Sequence, residues 1–222
     1  GGISPDQFMT QYWHKKPLLI RGAIPAFGLS AQQGEPLDSP IPAKQLLEFE
    51  GSTLLGHVTK MASKSNLGPV VIVLGANEKL IRNSIDLQQL TSVTNENWQE
   101  GMASSIVLGI SFIKEKYPEV DGVIIAVGDQ PHISEDQLHQ LLEAQNTTRL
   151  PIAACSYTGV IGTPALFHQS VFPELMTLKG DIGAKKIIEN RIQDVVTINF
   201  DQGIIDIDTE KEYQDLLKKQ KC

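Results

Sequence analysis

The chain alternates between short, continuous runs of aliphatic residues and longer stretches in which apolar residues recur every three or four positions. The continuous runs predict strands that are covered on both faces, because such strands show no alternation of apolar and polar residues. The expected strands lie at 17–21, 70–74, 91–94, 123–127, 151–155, 195–200 and 204–207.

The stretches between these runs predict helices. In residues 52–63, Leu54, Leu55, Val58 and Met61 recur at helical spacing and are expected to face the core. Strands that alternate with helices predict a three-layer, Rossmann-like α/β fold with a mostly parallel sheet. We expect a single domain over 1–222. The other helices are expected at 7–16, 101–115, 134–144, 183–190 and 209–219.

Composition narrows the class of protein. A length of 222 residues suits one α/β domain, and the formal net charge of −7 argues against nucleic acid or an anionic membrane as the main partner. The two cysteines, Cys155 and Cys222, lie far apart and show no zinc spacing, which favours a reducing cytoplasm. No apolar stretch approaches the roughly 20 residues that a membrane-spanning helix needs.

The most informative motif follows the expected strand at 123–127, where the apolar run ends in Gly128-Asp129-Gln130-Pro131. The carboxyl ends of parallel strands are where open α/β sheets bind their ligands. A carboxylate there is suited to hold Mg²⁺ against a phosphate chain. The alternative interpretation is a strand followed by an ordinary turn.

Two further stretches could complete such a site. Asp206 and Asp208 lie two apart at a strand end, so both side chains leave the same face, and one of them could join Asp129 on a metal ion. Alternatively, Asp208 caps the last helix. Gly28, Ser30 and Gly34 form a loose glycine-rich loop of the kind that wraps phosphates through backbone amides, and a lysine that follows it can neutralise their charge.

Three glycine motifs allow a ligand or a packing role. Gly101 opens a helix whose first turn contains Ser105, and free amides there suit a phosphate, ribose or base carbonyl. Gly162 permits close approach by a ligand, or else lies in a hairpin. The stretch from Gly180 to 184 borders a substrate anion, or else Asp181 caps the helix that begins near 183.

Taken in order, these motifs resemble the molybdenum cofactor cytidylyltransferase family, which has the glycosyltransferase-A-like nucleotidyltransferase fold. The resemblance covers roughly residues 44–216. The motifs that carry it are Lys44-Gln-Leu-Leu, Phe49-Glu-Gly-Ser-Thr-Leu-Leu55, Leu74-Gly-Ala, Asn97-x-x-x-Gly101-Met-x-x-Ser105, Gly128-Asp-Gln-Pro131, Gly162-x-Pro164, Gly180-Asp-x-Gly-Ala184 and Asp206-Ile-Asp-Thr209.

The resemblance implies a Mg²⁺-dependent transfer of CMP from CTP to the terminal phosphate of molybdopterin, with a molybdoenzyme as client. Asp129 would hold the metal together with Asp206 or Asp208, and Lys44 would neutralise the triphosphate. Gly101 and Ser105 would line the nucleoside pocket. The full set of expected binding residues is Gly28, Ser30, Gly34, Gly75, Gly101, Ser105, Gly128, Gln130, Pro131, Gly162, Gly180 and Asp181.

The front of the chain departs from the family pattern. Residues 3–27 resemble the entry segment of cupin-type ribosomal-protein oxygenases, and the phosphate loop lacks its basic residue, with Gln32 in that place. The segment 1–43 is therefore expected to be atypical, either as a divergent form of the family's loop or as an unrelated segment joined to the domain. Two alternative functions remain: a nucleotidyltransferase acting on a sugar or alcohol phosphate, and a non-catalytic nucleotide-fold module that handles the molybdenum cofactor.

Overall fold

The computed structural model describes residues 18–21, 46–76, 78–85 and 90–201. The strands are β1 (Leu18–Arg21), β2 (Glu48–Phe49), β3 (Ser52–Thr53), β4 (Val70–Leu74), β5 (Thr91–Thr94), β6 (Gly122–Val127), β7 (Ile152–Tyr157), β8 (Val160–His168) and β9 (Val195–Asn199). The helices are α1 (Leu54–Lys64), α2 (Glu78–Ser84), α3 (Met102–Lys116), α4 (Glu135–Thr148), α5 (Phe172–Leu175) and α6 (Lys185–Asn190). The expected helices at 7–16 and 209–219 and the expected strand at 204–207 lie outside these residues.

The described strands other than the β2–β3 hairpin form one sheet in the order β5-β4-β1-β6-β8-β7-β9. Pairing is parallel throughout except at β8, which runs antiparallel to both β6 and β7. The prediction of a mostly parallel α/β sheet is therefore confirmed. Strand β1 lies inside the sheet, between β4 and β6, so these four residues of the N-terminal segment are integral to it.

The continuous apolar strands are buried on both faces because helices cover both sides of the sheet. Alternate residues of β6 divide between two clusters: Val123 and Ile125 pack on the side that contains residues of α3, α5 and α6. Ile124 and Ala126 pack with residues of α1 and α4 on the other side. This arrangement confirms the three layers. None of the described helices is long and apolar enough to cross a bilayer.

The local predictions hold with two corrections. In α1 the helix begins after Thr53, whose hydroxyl accepts a hydrogen bond from the Gly56 amide, and Met61 is half-buried while Ala62 packs in the core. Strand β8 was not predicted as a strand by its apolar pattern. It pairs with β7 through a two-residue turn at Thr158 and Gly159, both with positive φ, which is the geometry that hairpins favour. The hairpin interpretation of this stretch is thus confirmed.

Candidate functional site

Asp129 lies two residues beyond the end of β6, at the edge of the sheet where the parallel strands end. It is 4% exposed, and the preceding Gly128 is buried as well. Arg21, the last residue of β1, is in register with Val127, so β1 ends at the same edge. The chain that leaves β1 contains Gly28, Ser30, Gly34 and Lys44, all of which lie outside the described residues. The described end of β1 therefore lies at the edge that carries Asp129, where α/β sheets bind their ligands.

Gln130 joins the exit of β6 to the hairpin strand β8. Its Nε2 donates a hydrogen bond to the Thr163 carbonyl at 3.2 Å. Its buried Oε1 has no hydrogen-bond partner among the described residues. Packing explains the glycine at position 162, next to Thr163, because a Cβ on Gly162 would lie 2.8 Å from the Tyr157 hydroxyl. Pro131 is buried and completes the turn.

Ring contacts connect this turn to the β2–β3 hairpin and to α1. Phe49, on the β2–β3 hairpin, packs edge-on against His57 of α1 with ring centroids 4.8 Å apart. The same ring faces His132, one residue beyond Pro131, at 6.1 Å. Burial lowers the pKa of His57, and the nearby Glu50 carboxylate, 3.6 Å from its Nδ1, partly opposes that shift. The hairpin thereby contacts both α1 and the turn that holds Asp129.

A second group of predicted residues surrounds the start of α3. Asn95, buried just after β5, donates hydrogen bonds to Ser104 Oγ at 2.8 Å and Ser105 Oγ at 2.9 Å. Its own Oδ1 accepts from the Asn97 amide at 3.1 Å. The Ser105 hydroxyl, expected to line a nucleoside pocket, is therefore already engaged within the fold.

Asn95 was missed by the sequence analysis. The sequence contained a signal for it, because Asn95 is a polar residue directly after an expected strand. In the structure, its amide donates a hydrogen bond to the Leu74 carbonyl at 2.6 Å, next to Gly75. Gly75 is buried and ends β4 at the same edge of the sheet. The rule that selected Asp129 would also have selected Asn95.

Gly180 and Asp181 lie against Gly101 at the start of α3. The Ala103 amide donates to the Gly180 carbonyl at 2.9 Å, so the two predicted motifs are in direct contact. The N-cap of α6 is Ala184, without a side-chain hydrogen bond, so the interpretation of Asp181 as the cap of that helix is wrong. Asp181 is exposed.

A divalent metal fits the one predicted ligand that the structure describes. Mg²⁺ is usually held by one or two carboxylates, with substrate phosphates and water completing its shell. Asp129 supplies one such carboxylate, while Asp206 and Asp208 lie outside the described residues. Within the described part of the chain, no cluster of three or more His, Cys, Asp or Glu side chains forms a metal cage.

Comparison with known proteins assigns the chain to a family. The family model described as MobA-like NTP transferase domain matches residues 29–195. The purine catabolism protein PucB of Bacillus subtilis is 30% identical over 209 residues, which cover 90% of this chain and 96% of that protein. The nicotine blue oxidoreductase of Paenarthrobacter nicotinovorans is 28% identical over 182 residues, with coverage of 78% and 87%.

Solved structures agree on the fold. The crystal structure of Rv0371c from Mycobacterium tuberculosis superimposes with a TM-score of 0.75 at 25% identity, covering 92% of this chain and 98% of that one. A complex of the same protein with manganese gives a TM-score of 0.73 at 22% identity, with the same coverage. A nucleotidyl transferase from Methanothermobacter thermautotroptrophicus also superimposes, with a TM-score of 0.70 at 14% identity and coverage of 92% and 99%, which confirms the nucleotidyltransferase fold expected from the sequence.

Proposed function

Because the chain belongs to the family of MobA-like NTP transferase domains, we propose that it transfers CMP from CTP to the terminal phosphate of molybdopterin. An oxygen of the acceptor phosphate forms the new bond to the α-phosphorus of CTP. The bond from that phosphorus to the bridging oxygen breaks, and pyrophosphate leaves with the electron pair. The observation that carries the proposal is the buried carboxylate of Asp129 at the carboxyl end of β6.

The chemistry asks mainly for positioning and for neutralisation of charge. Phosphoryl and nucleotidyl transfers need little covalent help from a protein, because the reactants only have to be aligned and their negative charge compensated. Asp129 would hold a divalent cation, which supplies that compensation on the phosphate oxygens. Lys44 would add a second positive charge, and Asp206 or Asp208 a further ligand. Manganese in the Rv0371c complex supports a divalent ion in this family.

The acceptor is assigned from the ordered motifs rather than from the names of relatives. PucB is named for purine catabolism and the second relative as an oxidoreductase, so these names point to different settings. The motif Gly128-Asp-Gln-Pro131 resembles the cytidylyl branch, and the stretch Gly180-Asp-x-Gly-Ala184 would face the pterin. A molybdoenzyme that receives the product would be the protein partner.

Nucleotide selectivity tests the proposal most directly. In a thermal shift series with CTP, GTP or ATP plus Mg²⁺, we expect CTP to stabilise the protein by about 2.7 kcal/mol at one hundred times its Kd. EDTA should remove the effect. Transfer of labelled CMP to molybdopterin, compared with sugar and alcohol phosphates, then tests the acceptor. Stabilisation by none of the three nucleotides would overturn the proposal, and transfer only to a sugar or alcohol phosphate would replace the acceptor.

A further inference from the structure

Helix α3 begins in direct backbone contact with the segment 180–184. A Cβ atom built on Gly101 would lie 2.4 Å from the carbonyl carbon of Gly180 and 2.6 Å from Oδ1 of Asp181. Cβ atoms in proteins essentially never come this close to atoms to which they are not bonded. No side chain therefore fits at Gly101 while the segment keeps its place. Gly101 also has φ +98, a conformation that favours glycine.

A second glycine interlocks with the first turn of the helix. A Cβ on Gly183 would lie 2.6 Å from the sulfur of Met102, the first residue of α3. Gly101 thus allows two segments that are distant in sequence to approach as backbones, while Gly183 leaves room for the Met102 side chain. A methyl group at Gly101 would force the two backbones apart, whereas one at Gly183 would first displace the flexible Met102 side chain.

The protein itself also occupies two of the first-turn amides that a phosphate would use. The Ala103 amide donates to the Gly180 carbonyl at 2.9 Å, and the Ser104 amide donates to the Gly101 carbonyl at 3.3 Å. Free amides of the first turn are what makes a helix N-terminus attractive to anions. In addition, the carboxylate of Asp181 lies beside Gly101, where the positive end of the helix favours a negative group.

We infer that the start of α3 holds the segment 180–184 in place by direct packing, a contact that we call the seat, and that it is not a phosphate-binding site. Gly101 is then a positioning residue: it sets the spacing between the helix that carries Ser105 and the segment on the acceptor side of the cleft. The assignment of these two sides rests on the proposed function, whereas the seat itself rests on the contacts alone.

The substitution Gly101→Ala tests the seat, with Gly159→Ala as the matched control. Gly159 has φ +81, so an alanine meets similar backbone strain, but nothing lies within 4 Å of its Cβ position. By amide exchange in NMR spectra, we expect the Ala103 amide to exchange at least about tenfold faster in Gly101→Ala, because its acceptor on Gly180 is displaced. The control should exchange like the wild type.

Kinetics add a readout that a merely structural change would not produce. In Gly101→Ala we expect the KM for the acceptor to rise at least about fivefold while the Kd for CTP stays within twofold, because only the acceptor side moves. A larger loss for CTP than for the acceptor would overturn the inference and favour a phosphate site. Unchanged exchange at Ala103 would also overturn it. Because exchange needs no substrate, failure of the proposed function would leave that result decisive.

A milder pair of variants serves if Gly101→Ala does not fold. Gly183→Ala presses only on the flexible side chain of Met102, so we expect a smaller acceleration of exchange at Ala103. Adding Met102→Ala removes the obstructing sulfur and should restore the wild-type exchange rate. Acceleration that persists in the double variant would contradict the interlocked packing.

Discussion

The turn that carries Asp129 and the start of α3 look alike in sequence but differ in what satisfies their polar groups. Each has a glycine beside polar side chains, and each follows a strand that ends at the same edge of the sheet. At the turn, a buried carboxylate lies next to Gln130, whose Oε1 lacks a partner among the described residues. At the helix start, the groups of Asn95, Ser105 and Ala103 bond to other parts of the chain.

The difference teaches that a glycine-rich motif marks close approach without saying what approaches. At Gly101 the approaching group is the backbone of Gly180. At the turn after β6, the proposed approaching groups are a metal ion and a triphosphate. Ligand chemistry and intramolecular packing thus use the same residue types, and only tertiary contacts separate them.

The strongest test of the contrast is Asp129→Asn. Asparagine keeps the shape of the side chain but removes the charge, so we expect turnover to fall at least about a hundredfold, equivalent to about 2.7 kcal/mol of transition-state stabilisation. The fold should remain intact by circular dichroism. Labelled CMP transfer under single-turnover conditions gives the rate.

A suitable control removes a carboxylate at the opposite edge of the sheet. Asp194 precedes β9 and pairs with Arg191 at 2.7 Å, a surface ion pair worth at most about 1 kcal/mol. Asp194→Asn should leave turnover unchanged. Rates in Asp129→Asn that match the control would remove Asp129 from the site.

The features that could be predicted from the sequence are those set by neighbouring residues, and those that could not are set by contacts between distant parts of the chain. The strand before Asp129 and the helix expected at 134–144, which begins after Ser134 with that hydroxyl accepting from the Gln137 amide, depend on neighbouring residues and were predictable. The contact between Gly101 and Gly180 joins distant parts of the chain, and no local pattern encodes it. Met61 was misplaced for a related reason: helical spacing gives the apolar side of α1, while the neighbouring elements decide how far that side is covered.

A smaller effect should appear at the helix start, in stability rather than in turnover. Asn95→Ala leaves the hydroxyls of Ser104 and Ser105 without their buried donor, and we expect a loss of about 2 kcal/mol in the free energy of unfolding. Ser105→Ala should cost about 1 kcal/mol. In a urea-denaturation double-mutant cycle, the two changes should couple by at least about 0.5 kcal/mol.

The exposed Ser84 offers a matched control for this cycle. Its hydroxyl donates to the Leu80 carbonyl within one helix, so Ser84→Ala should change stability by less than about 0.5 kcal/mol and should not couple to Asn95→Ala. Strict additivity of Asn95→Ala and Ser105→Ala would show that their hydrogen bond contributes nothing. A loss of CTP affinity in Ser105→Ala beyond that in Asn95→Ala would support the nucleoside-pocket prediction for this hydroxyl.

The smallest effect concerns pH and should come from the Asp129 side, where the half-buried His57 packs against Phe49. Burial lowers the pKa of His57 below its usual 6.5, with Lys60 and Lys64 acting in the same direction and Glu50 opposing them. A histidine with a lowered folded-state pKa contributes stability above pH 6.5 that is lost as the pH falls through the folded-state pKa, because the unfolded chain takes up the proton more readily.

Urea unfolding at pH 7.5 and 5.0 should therefore show a smaller loss of stability in His57→Gln than in the wild type. His139→Gln, on exposed α4 surface, should leave the loss unchanged, and equal losses in all three proteins would contradict the role assigned to His57.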